Sequence, residues 1–211
     1  MKKTLLLLLA TSLTLAACSG SKDESSANTD STTTVDGGTF NTVYSTDIAT
    51  LDYIFSSRQT NSVHYTNFVD GLLENDSLGN LIPALAEDWE VSEDGLTYTY
   101  KIREGVKWVT NSGTEYADVT AHDFVTGLKH AADINSETLY IVSDSVKGLS
   151  DYVEGKTTDF STVGVKAIDD YTVEYTLNTP ESYWNSKTTY GILYPVNEEF
   201  LASQGENFGS V

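Results

Sequence analysis

From Leu96 to Arg103 the chain alternates apolar and polar residues one for one, with Leu96, Tyr98, Tyr100 and Ile102 set against Thr97, Thr99, Lys101 and Arg103. A period of two predicts a strand with one buried and one wet face. Ser92-Glu93-Asp94-Gly95 supplies a turn before it, and Trp89 and Val91 stand where a hairpin partner belongs. Glu104-Gly105 breaks the strand before Val106 and Trp108. The period then changes. Phe124, Val125, Leu128, Ala131 and Ala132 recur at helical spacing behind Thr120, which has Asp123 three residues on, a near-match to a capping box. Hairpin, loop and helix is the predicted plan of this stretch.

Before it, Phe40, Val43 and Tyr44 form a short strand-like run, and residues 56–61 read as a polar loop. Tyr65, Phe68, Val69 and Leu72 fall at i, i+3, i+4 and i+7, the face of an amphipathic helix. Turn signals fill residues 75–80. After it, Leu139, Val142, Val146, Leu149 and Tyr152 predict a second long helix that Gly155 ends. Val163, Val165 and Ala167, a turn at Asp169-Asp170, and then Tyr171, Val173, Tyr175 and Leu177 predict another hairpin. Pro180 opens a short segment carrying Tyr183 and Trp184, and Asn197 caps a last helix that runs through Phe200 and Leu201 to Gly205.

The start of the chain has a different pattern. Lys2 and Lys3 precede an apolar run from Leu5 to Ala17, too short for a bilayer span but shaped like an export leader. Leu15-Ala16-Ala17-Cys18 closes it with small residues before the chain's only cysteine. That is the lipobox arrangement, in which the thiol takes diacylglycerol and residues 1–17 are removed. Cys18 has no internal partner for a disulfide, which suits an anchor. Two or three acyl chains hold a protein on a membrane far more firmly than one. Residues 18–37 lack aromatics and carry a lone Val35, so they cannot bury enough apolar surface to order themselves. They read as a tether with an end-to-end distance on the order of 25 Å. Residues 38–211 read as one domain, long enough to bury one sizeable core.

Charge and chemistry narrow the classes. The chain carries 12 Lys and Arg against 31 Asp and Glu, a net charge of −19; without Lys2 and Lys3 it becomes 10 − 31 = −21. Nucleic acid is excluded as a partner. The acidic surplus reads first as a solvated surface and second as a bias toward cationic ligands. There is no nucleophile elbow, P-loop, zincin motif or second cysteine, so neither enzyme activity nor a metal or cofactor is expected. His122 and His130 stand about 12 Å apart along a helix axis, too far to share one ion.

The stretch PALAEDWEVSEDGLTYT, followed by REGVKW and TAHDF, resembles the signature region of the family 5 solute-binding proteins, the oligopeptide- and dipeptide-binding receptors of ABC importers. Thr50-Leu51-Asp52 and Asp70-Gly71-Leu72-Leu73-Glu74 extend the likeness over roughly residues 38–200. It is most like the oligopeptide-binding lipoproteins of Gram-positive bacteria. The resemblance implies a mixed α/β fold, the lobe I portion of a two-lobed, periplasmic-binding-protein-like architecture of the peptide-binding type, truncated before the second lobe. It implies a monomeric receptor, anchored on the extracellular face of the cell membrane, that hands oligopeptides to permease subunits. Peptide pheromones, dipeptides, nickel and haem are alternative ligands within the family, and a lipid-anchored adhesin is the alternative outside it. An ungapped match from Leu51-Asp52 to Gly71-Leu72-Leu73 sets Gln59, Thr60 and Asn61 where the family presents backbone to a peptide, with Arg58 beside them; Tyr140 is a further candidate.

Overall fold

The computed structural model describes residues 41–44 and 46–211. The leader, Cys18, the 18–37 tether and Phe40 lie outside the described residues. Val43 and Tyr44 take no part in a strand, and Val43 is exposed.

The centre is a four-stranded antiparallel sheet made from the two expected hairpins. β3 (Ala86–Val91) pairs with β4 (Thr97–Ile102), and β7 (Val165–Asp169) pairs with β8 (Thr172–Thr176), in the order β3-β4-β8-β7. The joint between the hairpins sets Tyr98 opposite Tyr175 and Tyr100 opposite Val173. Alternation puts Tyr98, Tyr100, Ile102, Val173 and Tyr175 on one face, all buried. Burying each such side chain stabilises the fold by roughly 1.5–3 kcal/mol. Trp184 completes this layer, with its ring 5.5 Å from Tyr175 and 6.1 Å from Tyr98. Burial pushes the Tyr100 and Tyr175 hydroxyls well above the ordinary tyrosine range.

α2 (Ala121–Asp133) packs on this sheet through Phe124, Leu128, Ala131 and Ala132. Asp123 serves its first turn as expected, accepting from the Thr120 N–H at 2.9 Å, and also accepts from the Trp108 indole at 3.0 Å. Desolvation raises the Asp123 carboxyl above its usual range. Two small hairpins escape the periodicity, β1 (Leu73–Asn75) with β2 (Leu81–Pro83), and β5 (Lys107–Val109) with β6 (Glu115–Asp118). Their strands have three or four residues, and a bulge between Trp108 and Val109 interrupts the second pair.

Two helices differ from expectation. The first, α1, runs Gln59–Tyr65 and not over Tyr65 to Leu72, so the apolar spacing from Tyr65 to Leu72 marks a turn that tucks Val69 and Leu72 inward. The predicted long helix over residues 139–152 is broken into a 3-10 turn at Leu139–Ile141 and α3 (Leu149–Val153). Gly148 is the cause: its φ is 72°, and a Cβ there would sit 2.8 Å from the Thr162 carbonyl. α4 (Trp184–Lys187) and α5 (Glu198–Gln204) follow, and the Asn197 side chain accepts from the Phe200 N–H at 2.9 Å to cap α5.

Candidate ligand-binding edge

Asp52 organises the entry to α1. Its Oδ1 accepts from the N–H groups of Ile54 and Phe55 at 3.1 and 3.2 Å, turning the chain at residues 53–55. Ser56, Ser57 and Arg58 then belong to no helix, strand or turn, and Arg58 has an extended backbone (φ −76°, ψ 127°) before α1 begins. Behind them Tyr53, Tyr65 and Tyr194 form a ring cluster with centroids 5.9–6.4 Å apart. The Tyr53 hydroxyl donates to the Pro195 carbonyl at 2.6 Å.

A second segment, just beyond α2, grips the same stretch. Ser136 Oγ donates to the Ile54 carbonyl at 2.6 Å, and the Glu137 N–H donates to the Phe55 carbonyl at 3.0 Å. Glu137 Oε2 accepts from both the N–H and the hydroxyl of Ser57, each at 3.0 Å. Those donors, first the Ser57 N–H and then its hydroxyl, hold the Glu137 carboxyl below its ordinary range, and the Arg58 charge adds to the effect. Three residues on, Tyr140 stands 75% exposed in its 3-10 turn.

These bonds take the N–H groups of Ser57 and Arg58 and leave carbonyls open. The N–H of Ser57 is taken by Glu137, and that of Arg58 by Ser56 Oγ at 3.2 Å. The Ser56 and Ser57 carbonyls accept nothing among the described residues. Free carbonyls at Ser56 and Ser57, an extended and exposed Arg58 and an exposed Tyr140 ring on the adjoining segment can receive the N–H groups of an extended chain.

The sequence-based candidates divide on this geometry. Arg58 lies on the extended stretch and Tyr140 on the segment tied to it. Gln59, Thr60 and Asn61 form the first turn of α1 instead of a loop. Gln59 is exposed there, while Asn61 is buried and accepts from the Ala49 N–H at 3.3 Å. Polar residues throughout this turn hide it from any periodicity search. Ser57, Ser136 and Glu137 were missed, because their link spans 80 residues and no local pattern announces it. His122 and His130 turn to different carboxylates, Asp170 at 3.4 Å and Asp52 at 2.9 Å. A separate hollow of about 690 Å³ between Phe68, Trp108, Tyr116, Phe200 and Phe208 is lined mainly by apolar side chains, with Lys107, Thr110, Asn111 and Asn197 also in the lining.

Solved structures share this mixed α/β fold. Listeria monocytogenes OppA bound to peptide superposes with a TM-score of 0.69 at 34% identity, over 79% of this chain and 32% of that one. An oligopeptide ABC transporter substrate-binding domain from Bacillus anthracis gives 0.69 at 31% identity, over 76% and 30%. Residues 80–209 match the family model described as bacterial extracellular solute-binding proteins, family 5 Middle. The chain belongs to that family. It is 58% identical over 203 residues to the oligopeptide-binding protein AmiA of Streptococcus pneumoniae, covering 96% of this chain and 29% of AmiA. It is 64% identical over 169 residues to the oligopeptide-binding protein SarA of Streptococcus gordonii, covering 80% of this chain and 26% of SarA. The chain thus spans less than a third of the length of these relatives.

Proposed function

We propose that this chain contributes one lobe of a substrate-binding component that captures oligopeptides for an ABC importer, and that Ser56–Arg58 with Tyr140 is the part of it that meets the peptide. The observation that carries this reading is the pair of open carbonyls on Ser56 and Ser57 in a member of this family. Main-chain bonds of that kind recognise a peptide without reading its sequence, and water in side-chain pockets tolerates variety. A binding role fits better than catalysis, since the family is described as solute-binding proteins. Residues 1–17 would act as a cleaved export leader, Cys18 as the lipidated anchor on the extracellular face, and 18–37 as the tether that lets the receptor reach its permease. Gln59, exposed beside Arg58, is a secondary contact.

Mass spectrometry of small molecules released from the purified chain tests the ligand class. Short peptides of mixed sequence are expected, whereas haem, nickel or a single non-peptide species would overturn the reading. Metabolic labelling with an alkyne fatty acid tests the anchor: label should be lost in Cys18→Ser, and equal label in both proteins would contradict it.

A further inference from the structure

His130 sits in the last turn of α2, and its Nε2 lies 2.9 Å from Asp52 Oδ2 with both side chains only about a tenth exposed, 11% and 10%. The other Asp52 oxygen holds the Ile54 and Phe55 N–H groups. One carboxylate therefore couples the α2 terminus to the turn that launches Ser56–Arg58. The ring is held from outside by Phe208, edge-on with centroids 5.2 Å apart. The next residue, Gly209, accepts from the Leu51 N–H at 2.7 Å and the Thr50 hydroxyl at 2.9 Å. Thr50 Oγ1 in turn accepts from the Asp52 N–H at 2.9 Å. Asp52 is thus fixed through its N–H and both carboxylate oxygens, and among the described residues His130 is the only side chain bonded to the oxygen that the turn leaves free.

We propose that His130 is a positioning residue for the ligand edge: by fixing the Asp52 carboxylate it sets the 53–55 turn and so the direction in which the Ser56 and Ser57 carbonyls point. This rests on the edge being the ligand contact. An edge set in advance spares the ligand the cost of ordering it on binding. Removing His130 leaves the Asp52 carboxylate nearly buried without that partner, free to rotate away from Ile54 and Phe55. Gln places a donor near the lost Nε2 and is the conservative replacement.

Hydrogen exchange resolved to single amides, in the full chain without ligand, tests this. In His130→Ala, the Ile54 amide should exchange about tenfold faster or more, as expected for a hydrogen bond to a charged group, with a smaller rise at Phe55, whose N–H also bonds the Asp52 carbonyl at 3.2 Å. His130→Gln should restore most of the protection, and the Tyr100 and Val173 amides in β4 and β8 should not change. Unchanged exchange at 54 and 55, an equal rise in the central sheet, or no rescue by Gln would overturn the proposal. Because no peptide is present, this result stands apart from whether peptides bind. If the exchange pattern is as expected but wild type binds no peptide, the functional reading fails and the positioning role remains as a property of the fold.

Discussion

The layer between β4, β8 and α4 and the edge at Ser56–Arg58 are held by different forces. In the layer, Tyr98, Tyr100, Tyr175 and Trp184 stack with almost no exposure, and removal of apolar area from water supplies the stabilisation. At the edge Ser56 is buried while Ser57 and Arg58 are exposed. It keeps its shape through side chains bonded to backbone, with Asp52, Ser136 and Glu137 each satisfying groups of residues 54–57. A packed layer resists change everywhere at once, whereas an edge built from a few directed bonds can be altered locally and stays open to a partner. That is the division expected between a scaffold and the surface it presents.

Three substitutions probe that contrast. Trp184→Ala should have the largest effect, costing about 3–5 kcal/mol by leaving a cavity against Tyr98 and Tyr175. Urea unfolding should show the loss as a lower midpoint with exchange raised throughout the sheet; a cost below about 1 kcal/mol would mean that the layer does not depend on this ring. Gly209→Ala comes next. Its φ is 73°, and an added Cβ would lie 2.2 Å from the Asp52 nitrogen. Forcing that contact apart should cost about 1–3 kcal/mol, with exchange rising first at Leu51 and the 53–55 turn. A loss spread evenly over β4 and β8 would erase the distinction between the two regions.

The smallest effect is a pH response at Glu137, whose carboxyl is held below its ordinary value of 4.5 by the Ser57 donors. A lowered value means that the folded state favours the ionised form, so this contribution is present above pH 4.5 and fades as pH falls through the lower folded value. Protection of the Ser57 amide, corrected for intrinsic exchange, should therefore fall on acidification in wild type. In Glu137→Gln it should be lower throughout and should not follow pH. An identical pH profile in both proteins would remove Glu137 from the edge.

The contrast also explains what the sequence discloses. Alternation at 96–103 and 171–177 reveals both central hairpins, because one buried face forces a period of two on each strand. It does not reveal that Tyr98 meets Tyr175, since both are tyrosines on inward faces and any register shifted by an even number of residues would still bury them. The α1 turn at Gln59–Asn61 is polar on every side, and the long helix drawn from Leu139 to Tyr152 ignored Gly148, whose close approach to Thr162 is a tertiary contact that local spacing does not show. At the proposed edge, Arg58 and Tyr140 are candidates named through family resemblance. Glu137, Ser136 and His130 were not, because each bonds a partner some 78 to 82 residues away. A side chain that serves distant backbone leaves no periodic trace.

Photo-crosslinking measures the central claim most directly. An extended oligopeptide carrying one photoreactive residue, moved along its length in separate samples, would be irradiated with the full chain and the crosslinked residues mapped by mass spectrometry. Crosslinks should concentrate at Ser56, Ser57, Arg58, Gln59 and Tyr140 and should weaken in Tyr140→Ala. Crosslinks confined to the apolar hollow around Trp108 and Phe200, or scattered with no preference for residues 56–59 and 140, would contradict the account.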